Sequence, residues 1–216
     1  NAFIQLKYEM RWNITNRLGL SAGIALSHFS NAAFKVPNLG INLPTINMGF
    51  SYKLFKDTPD IIKNEVPSYE KKWQYSIIGR FGVNELYGAG GRKYPYYCLS
   101  GYFMRPLSLK RQIGIGLDVY YSEAVVEMLR RREIPTKSKA EAIRPGLSFV
   151  YIMNFSRLSF VAQLGAYLYN KETRDGYIFD RVSLQYTIKN HYLFQIGLKT
   201  HLARAEVLEF GFGYKF

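Results

Sequence analysis

The feature that most limits what this chain can fold into is the period of its apolar residues, which is two. Along residues 2–14 alternate positions carry Ala2, Ile4, Leu6, Tyr8, Met10, Trp12 and Ile14, and the positions between carry Gln5, Lys7, Glu9, Arg11 and Asn13. A helix with about 3.6 residues per turn mixes two such sets, whereas a strand, whose side chains point alternately to opposite faces, keeps them apart. The pattern recurs. Residues 18–30 set Leu18, Leu20, Ala22, Ile24 and Leu26 against Gly19, Ser21, Gly23, Ala25 and Ser27. Residues 44–54 set Ile46, Met48, Phe50, Tyr52 and Leu54 against Thr45, Asn47, Gly49, Ser51 and Lys53. With the segments 73–84, 95–105, 111–122, 145–154, 158–169, 178–188, 191–201 and 206–216, the count is about eleven strands.

Composition narrows this further. No apolar run approaches the roughly 18 to 20 residues that a spanning helix needs, and 48% hydrophobic residues exclude a disordered chain. The single Cys98 excludes a disulfide framework. Soluble β-sandwiches also alternate, but their polar faces are rich in Lys, Glu and Thr, while the second faces here are rich in Gly and Ser. Apolar faces paired with small or polar ones, on segments long enough to cross a bilayer at a tilt, predict a transmembrane β-barrel. The 29 Lys and Arg against 16 Asp and Glu, a net charge of +13, then point to an anionic membrane surface and not to nucleic acid.

The connections support this class. The chain ends Leu208-Glu209-Phe210-Gly211-Phe212-Gly213-Tyr214-Lys215-Phe216. An alternating last strand with a terminal aromatic looks like the signal that the barrel assembly machinery reads in bacterial outer-membrane proteins. Such a terminus lies on the periplasmic side. Walking back from it puts the short links 15–17, 106–110, 155–157 and 189–190 in the periplasm, and the long loops 31–43, 85–94, 123–144 and 170–177 outside, the asymmetry of outer-membrane barrels. A charged periplasmic link at 55–72 and a short outer link at 202–205 are exceptions. The expectation is an all-β protein, an antiparallel transmembrane β-barrel integral to the bacterial outer membrane, with residues 1–216 as one domain. Since a closed bacterial barrel has an even number of strands, eleven implies 12 or more in the complete barrel, either with one strand missed in this count or with N-terminal strands outside this chain.

One segment carries chemistry: His28-Phe29-Ser30-Asn31-Ala32-Ala33-Phe34-Lys35-Val36-Pro37-Asn38-Leu39-Gly40-Ile41-Asn42. By parity His28 and Ser30 share the lipid-facing side with Leu20, Ile24 and Leu26, at the outer end of their strand. Their Cβ atoms are then about 6 to 7 Å apart, and a rotamer that turns the imidazole to the hydroxyl makes a base-activated nucleophile. A His and a Ser facing the outer leaflet suit a lipid substrate better than lipid contact. His-x-Ser on any strand is common by chance, and Pro37-Asn38-Leu39-Gly40 taken alone is a turn.

Together, His28-x-Ser30-Asn31 and Pro37-Asn38-x-Gly40, set across a strand, an outer loop and the next strand, resemble the outer-membrane lipid A 3-O-deacylases, grouped with acyloxyacyl hydrolase-like proteins. The resemblance covers roughly residues 2–55. It implies an esterase that removes an acyl chain from lipid A of lipopolysaccharide, with no cofactor and no metal. It further implies Ser30 as nucleophile, His28 as general base and Asn42 at the position of the Glu that orients the His. An amide at 42 can fix the imidazole tautomer but cannot stabilise imidazolium by charge. The family's small residue after Ser-Asn-Ala is usually Gly, and here it is Ala33. Backbone amides near Asn31 to Ala33 and the Asn38 side chain are oxyanion candidates. In the small members of the family this hairpin closes the barrel, whereas here about eight strands follow it.

The segment Ser122 to Glu133 lacks period two and reads as a short helix in an outer loop. Its Arg130, Arg131 and Arg132, with Lys35, Arg92 and Lys93, are candidates for lipopolysaccharide phosphates, while a solvated helix end with C-terminal cations accounts for the arginines equally well. Cys98 reads as an inert wall residue, and His191 and His201 have no metal-ligand spacing. Lys7, Glu9, Arg11, Arg80 and Asp118 read as lumen ion pairs. Two alternatives stand beside the esterase: a barrel of the same family serving as a structural or partner-binding subunit of an outer-membrane complex, and a diffusion pore.

Overall fold

The structure is a computed structural model that describes residues 2–30, 40–54, 68–69, 71–86, 91–202 and 204–216. The strands are β1 (Ala2–Asn13), β2 (Leu18–Ser30), β3 (Ile41–Tyr52), β4 (Gln74–Glu85), β5 (Lys93–Pro106), β6 (Arg111–Ser122), β7 (Arg144–Phe155), β8 (Leu158–Tyr167), β9 (Ile178–Ile188), β10 (Tyr192–His201) and β11 (Arg204–Lys215). Each lies on one of the alternating segments. Between β6 and β7 sit helix α1 (Glu123–Arg131) and a single 3₁₀ turn, Lys139–Ala142. Ser122 caps α1 by accepting from the Ala124 amide, which supplies one of the acceptors a helix start lacks.

The strands divide into eight and three. Strands β4 to β11 form a closed barrel, and β1, β2 and β3 form a separate three-stranded sheet. They belong to two compact units. The expectation of 12 or more strands in one barrel is thereby corrected, because β11 finds its antiparallel partner in β4, from Glu209 opposite Gly82 to Lys215 opposite Ser76. Closure at eight gives an even number and pairs every strand on both sides, which hydrocarbon demands of backbone N–H and C=O groups.

In the closed barrel alternation becomes two surfaces. On β5, Tyr94, Tyr96, Cys98, Ser100, Tyr102 and Met104 are buried in the lumen, while Tyr97, Leu99 and Phe103 are exposed on the outer wall. Leu117, Phe149, Leu164, Leu184, Ile196 and Phe212 continue that wall around the barrel. In water such a surface is unfavourable by about 25 cal/mol per Å²; in lipid it meets its own kind.

The lumen is filled in layers. Toward the short turns lies an apolar cluster of Ile78, Tyr102, Met104, Val150, Ile152, Val161 and Leu193. Across the middle runs a charged network. Arg181 donates from Nε to Glu209 Oε2 at 2.6 Å and from Nη1 to Asp118 Oδ1 at 3.2 Å and Gln163 Oε1 at 2.6 Å. Arg80 donates to Ser100 Oγ at 2.5 Å, to Tyr102 Oη at 2.7 Å and to Gln195 Oε1. A buried charge is tolerated when its hydrogen bonds are met: Arg181 has the carboxylates of Glu209 and Asp118, and Arg80 has neutral acceptors. Toward the long loops Lys199 lies among the rings of Tyr96, Tyr120, Tyr167 and Phe179 and pairs with Glu206, which also accepts from Arg144. The diffusion-pore alternative finds no support in this barrel, whose middle these side chains occupy.

The lumen ion pairs read from sequence thus take two forms. Asp118 pairs with Arg181, and Arg80 is met by neutral partners. On the open sheet Glu9 bridges Lys7 at 2.5 Å and Arg11 at 2.6 Å. Cys98 lies on the inner face of the wall, with its Sγ 3.4 Å from Ser100 Oγ and accepting from Arg181 Nη2.

Outside, ion pairs brace the loops to one another. Arg132 pairs with Glu172 at 2.6 Å, Lys171 with Glu141, and Arg204 with Asp175. Lys171 Nζ also donates to the Pro135 carbonyl.

Candidate active site

The candidate residues stand on the β2–β3 hairpin of the three-stranded sheet. β3 begins at Ile41, three residues before the alternation suggested, and takes Pro44 into the strand. Among the described residues β3 pairs with β2 alone, and an edge strand tolerates a residue with no N–H to donate. The continuous register puts Ile46 opposite Ile24, Pro44 opposite Leu26 and Asn42 opposite His28.

That opposition brings the two side chains together: His28 Nδ1 and Asn42 Oδ1 are 2.7 Å apart. An amide oxygen only accepts, so Nδ1 carries the proton and the neutral ring keeps its lone pair on Nε2. Gly40 provides the seat for the ring. A Cβ at position 40 would stand 2.8 Å from His28 Cε1, so close that the ring would have to shift. On β2, His28 is half-buried and Ser30, two residues on and on the same face, is buried at 8% exposure. On the opposite face the Phe3 and Phe29 rings pack at a tilt with centroids 4.7 Å apart, and Gln5 Nε2 donates to Ser27 Oγ at 2.9 Å. The end of β2 is therefore held from both sides, the kind of support that fixes reacting groups.

The remaining candidates are placed unevenly. Asn31, Ala33, Asn38 and Lys35 lie outside the described residues. Arg130 and Arg131 both donate to Glu127, at 2.7 and 2.8 Å, and Arg132 is committed to Glu172. One carboxylate between Arg130 and Arg131 leaves a net charge of +1 on that face of α1. The bonds from Arg130 and then Arg131 hold the Glu127 carboxyl down to about 2. Arg92 lies over the Tyr94 ring at 5.5 Å, and Lys93 opens β5. His191 Nδ1 is 2.8 Å from the Lys215 carbonyl and its ring stacks on Tyr214, while His201 Nε2 is 2.9 Å from Tyr167 Oη.

Two family models match the chain, and they divide where the structure divides. Residues 4–51, which span nearly all of β1 to β3, match "Lipid A 3-O-deacylase (PagL)". Residues 73–216, two thirds of the chain and all of the closed barrel, match "Acyloxyacyl hydrolase, C-terminal domain". The chain belongs to this lipid A deacylase family of hydrolases, and it is an integral protein of the bacterial outer membrane. No curated protein matches it. Among solved structures, one described as "De novo design of transmembrane beta-barrels" is similar over 70% of this chain and 100% of its own, at 9% identity and a TM-score of 0.41. A KdgM porin is similar over 100% of this chain and 99% of its own, at 14% identity and a TM-score of 0.32.

Proposed function

We propose that the chain is an esterase that hydrolyses an ester-linked acyl chain of lipid A in the outer leaflet, with Ser30 as nucleophile, His28 as general base and Asn42 as the residue that fixes the His28 tautomer. The observation that carries this reading is the 2.7 Å contact between His28 Nδ1 and Asn42 Oδ1, since it leaves Nε2 as the proton acceptor. Ser30 Oγ adds to the ester carbonyl as its proton passes to Nε2. The tetrahedral intermediate collapses with release of the sugar oxygen, which takes the proton from Nε2 and becomes a free hydroxyl. Water, deprotonated by the same nitrogen, then cleaves the acyl-Ser30 ester and frees the fatty acid. Asn31, Ala33 and Asn38 remain the oxyanion candidates, and Lys35, Arg92, Lys93, Arg130, Arg131 and Arg132 the candidates for the phosphates. No step calls for a cofactor.

Mass spectrometry of lipid A from cells making the chain, against cells making Ser30→Ala, tests the proposal. Loss of one ester-linked chain that depends on Ser30 is expected, and identical acylation in the two would sink it. A second reading, a barrel kept as a structural or partner-binding subunit of an outer-membrane complex, is favoured by Asn42, which puts an amide where the family has an acid. It predicts that Ser30→Ala changes nothing while a protein complex is recovered.

A further inference from the structure

At its short-turn end the closed barrel opens into a cavity of about 570 Å³, within the usual range for ligand sites. It is blind, because the apolar layer around Met104, Ile152 and Leu193 and then Arg80 lie beyond it. Short turns face the periplasm in outer-membrane barrels, so the mouth faces that compartment.

Its lining has two properties that mere packing does not require. The first is charge: Lys110, Arg157 and Lys215 line it, no Asp or Glu does, and none of the three cations has an ion-pair partner among the described residues. The second is an excess of unused amide groups. Gln74 Oε1 is buried with no hydrogen-bond partner. Asn154 Oδ1 is taken by Ser159, and Gln185 Oε1 by Gln195, so that the amide nitrogens of Asn154 and Gln185 face no described acceptor. Donors and acceptors side by side match the N–H and C=O of an extended peptide, and unpaired cations match carboxylates. A sugar ring would seek an aromatic face, but Tyr75 and Phe155 are each about half exposed, and Tyr75 packs edge-on against Phe103 of the outer wall.

We propose that this cavity is a binding site for an acidic peptide segment of a periplasmic protein, held by Lys110, Arg157 and Lys215 through its carboxylates and by Gln74, Asn154 and Gln185 through its backbone. The site rests on the closed barrel alone and stands or falls independently of the esterase reading.

The test is fluorescence anisotropy on the full chain in detergent micelles, titrated into a labelled Gly-Asp-Glu-Asp-Gly peptide. Saturable binding is expected, weakened by salt as exposed charges are screened, with Gly-Asn-Gln-Asn-Gly failing to bind. Each of Lys110→Gln, Arg157→Gln and Lys215→Gln should weaken it about tenfold. Gln74→Leu, which removes the orphaned oxygen and adds no charge, should weaken it by a smaller factor at unchanged salt dependence. Heat-modified migration on gels verifies that each variant retains its barrel. Absence of saturable binding to the wild-type chain, equal binding of the neutral peptide, displacement by inorganic phosphate at the same concentration as by peptide, or tighter binding of a uronic-acid disaccharide would each overturn the assignment.

Discussion

The closed barrel and the three-stranded sheet are made from the same strand pattern and differ in what they do with the second face. In the barrel that face is turned inward, and the carboxylates of its middle and loop-side layers are consumed by cations: Glu209 and Asp118 by Arg181, Glu206 by Lys199 and Arg144. In the sheet the corresponding face carries Lys7, Glu9 and Arg11 in exposed pairs, and the hairpin end carries the His28–Asn42 contact. Closure stabilises a structure by using up its polar groups; a group that is to meet a substrate must be left over. The reacting residues proposed here accordingly stand in the sheet. Among the described residues β1 and β3 each pair on one side only, whereas every strand of the barrel pairs on both.

The comparison can be broken most sharply in the barrel. Arg181→Met leaves Glu209 and Asp118 buried and unpaired, and urea unfolding from lipid vesicles should show a loss of about 3–5 kcal/mol, much of it recovered when Glu209→Gln and Asp118→Asn are added. A loss no larger than that of a surface substitution would mean that the lumen network is solvated. In the sheet, Asn42→Leu takes the acceptor from His28 Nδ1 and should lower kcat about 100-fold with little change in KM, while Asn42→Glu should raise it about tenfold by adding the missing charge. Undiminished turnover in Asn42→Leu would remove the tautomer argument. Gly40→Ala displaces the imidazole from its seat and should cost about tenfold in kcat; a structure of that variant with an unmoved ring, or full activity, would refute the role given to Gly40.

The smallest effect belongs to α1. The Glu127 carboxyl is depressed from 4.5 to about 2, so its contribution is complete above the ordinary carboxylate value and is lost as pH falls from there through about 2. Carbon chemical shifts of α1 should hold from neutral pH to about 5 and drift toward coil only below that. Glu127→Gln should flatten this dependence, the change being slight because its partners Arg130 and Arg131 are exposed to solvent.

Strands were legible because period two is written locally. The segments 18–30, 111–122 and 178–188 coincide with β2, β6 and β9 to the residue. Closure at eight was not, since β4 and β11 are distant in sequence and nothing local announces their pairing. The site was legible as a set of residues but not as a geometry. Alternation left Asn42 in a loop, and only the register of β3 brings it opposite His28; a slip of one residue would send it to the other face. The lumen partners Arg181, Glu209 and Lys199 each interrupt a face of small or neutral residues with a charge, while Glu206 shares its parity with Leu208 and Phe210 and comes to Lys199 at a register shift between β10 and β11 that alternation does not show. Matching opposite charges at equal depth on different strands would have found them, once the strand order was known.

Cys98 ends up with a use that its chemistry alone does not suggest. It is the single thiol in the chain, 4% exposed, enclosed between Ser100 and Arg181 in the filled middle of the barrel. A maleimide added from either side of the membrane reaches it only when the lumen comes apart, so the rate of alkylation is a clock for the opening of the closed barrel, readable in whole cells without any added label site.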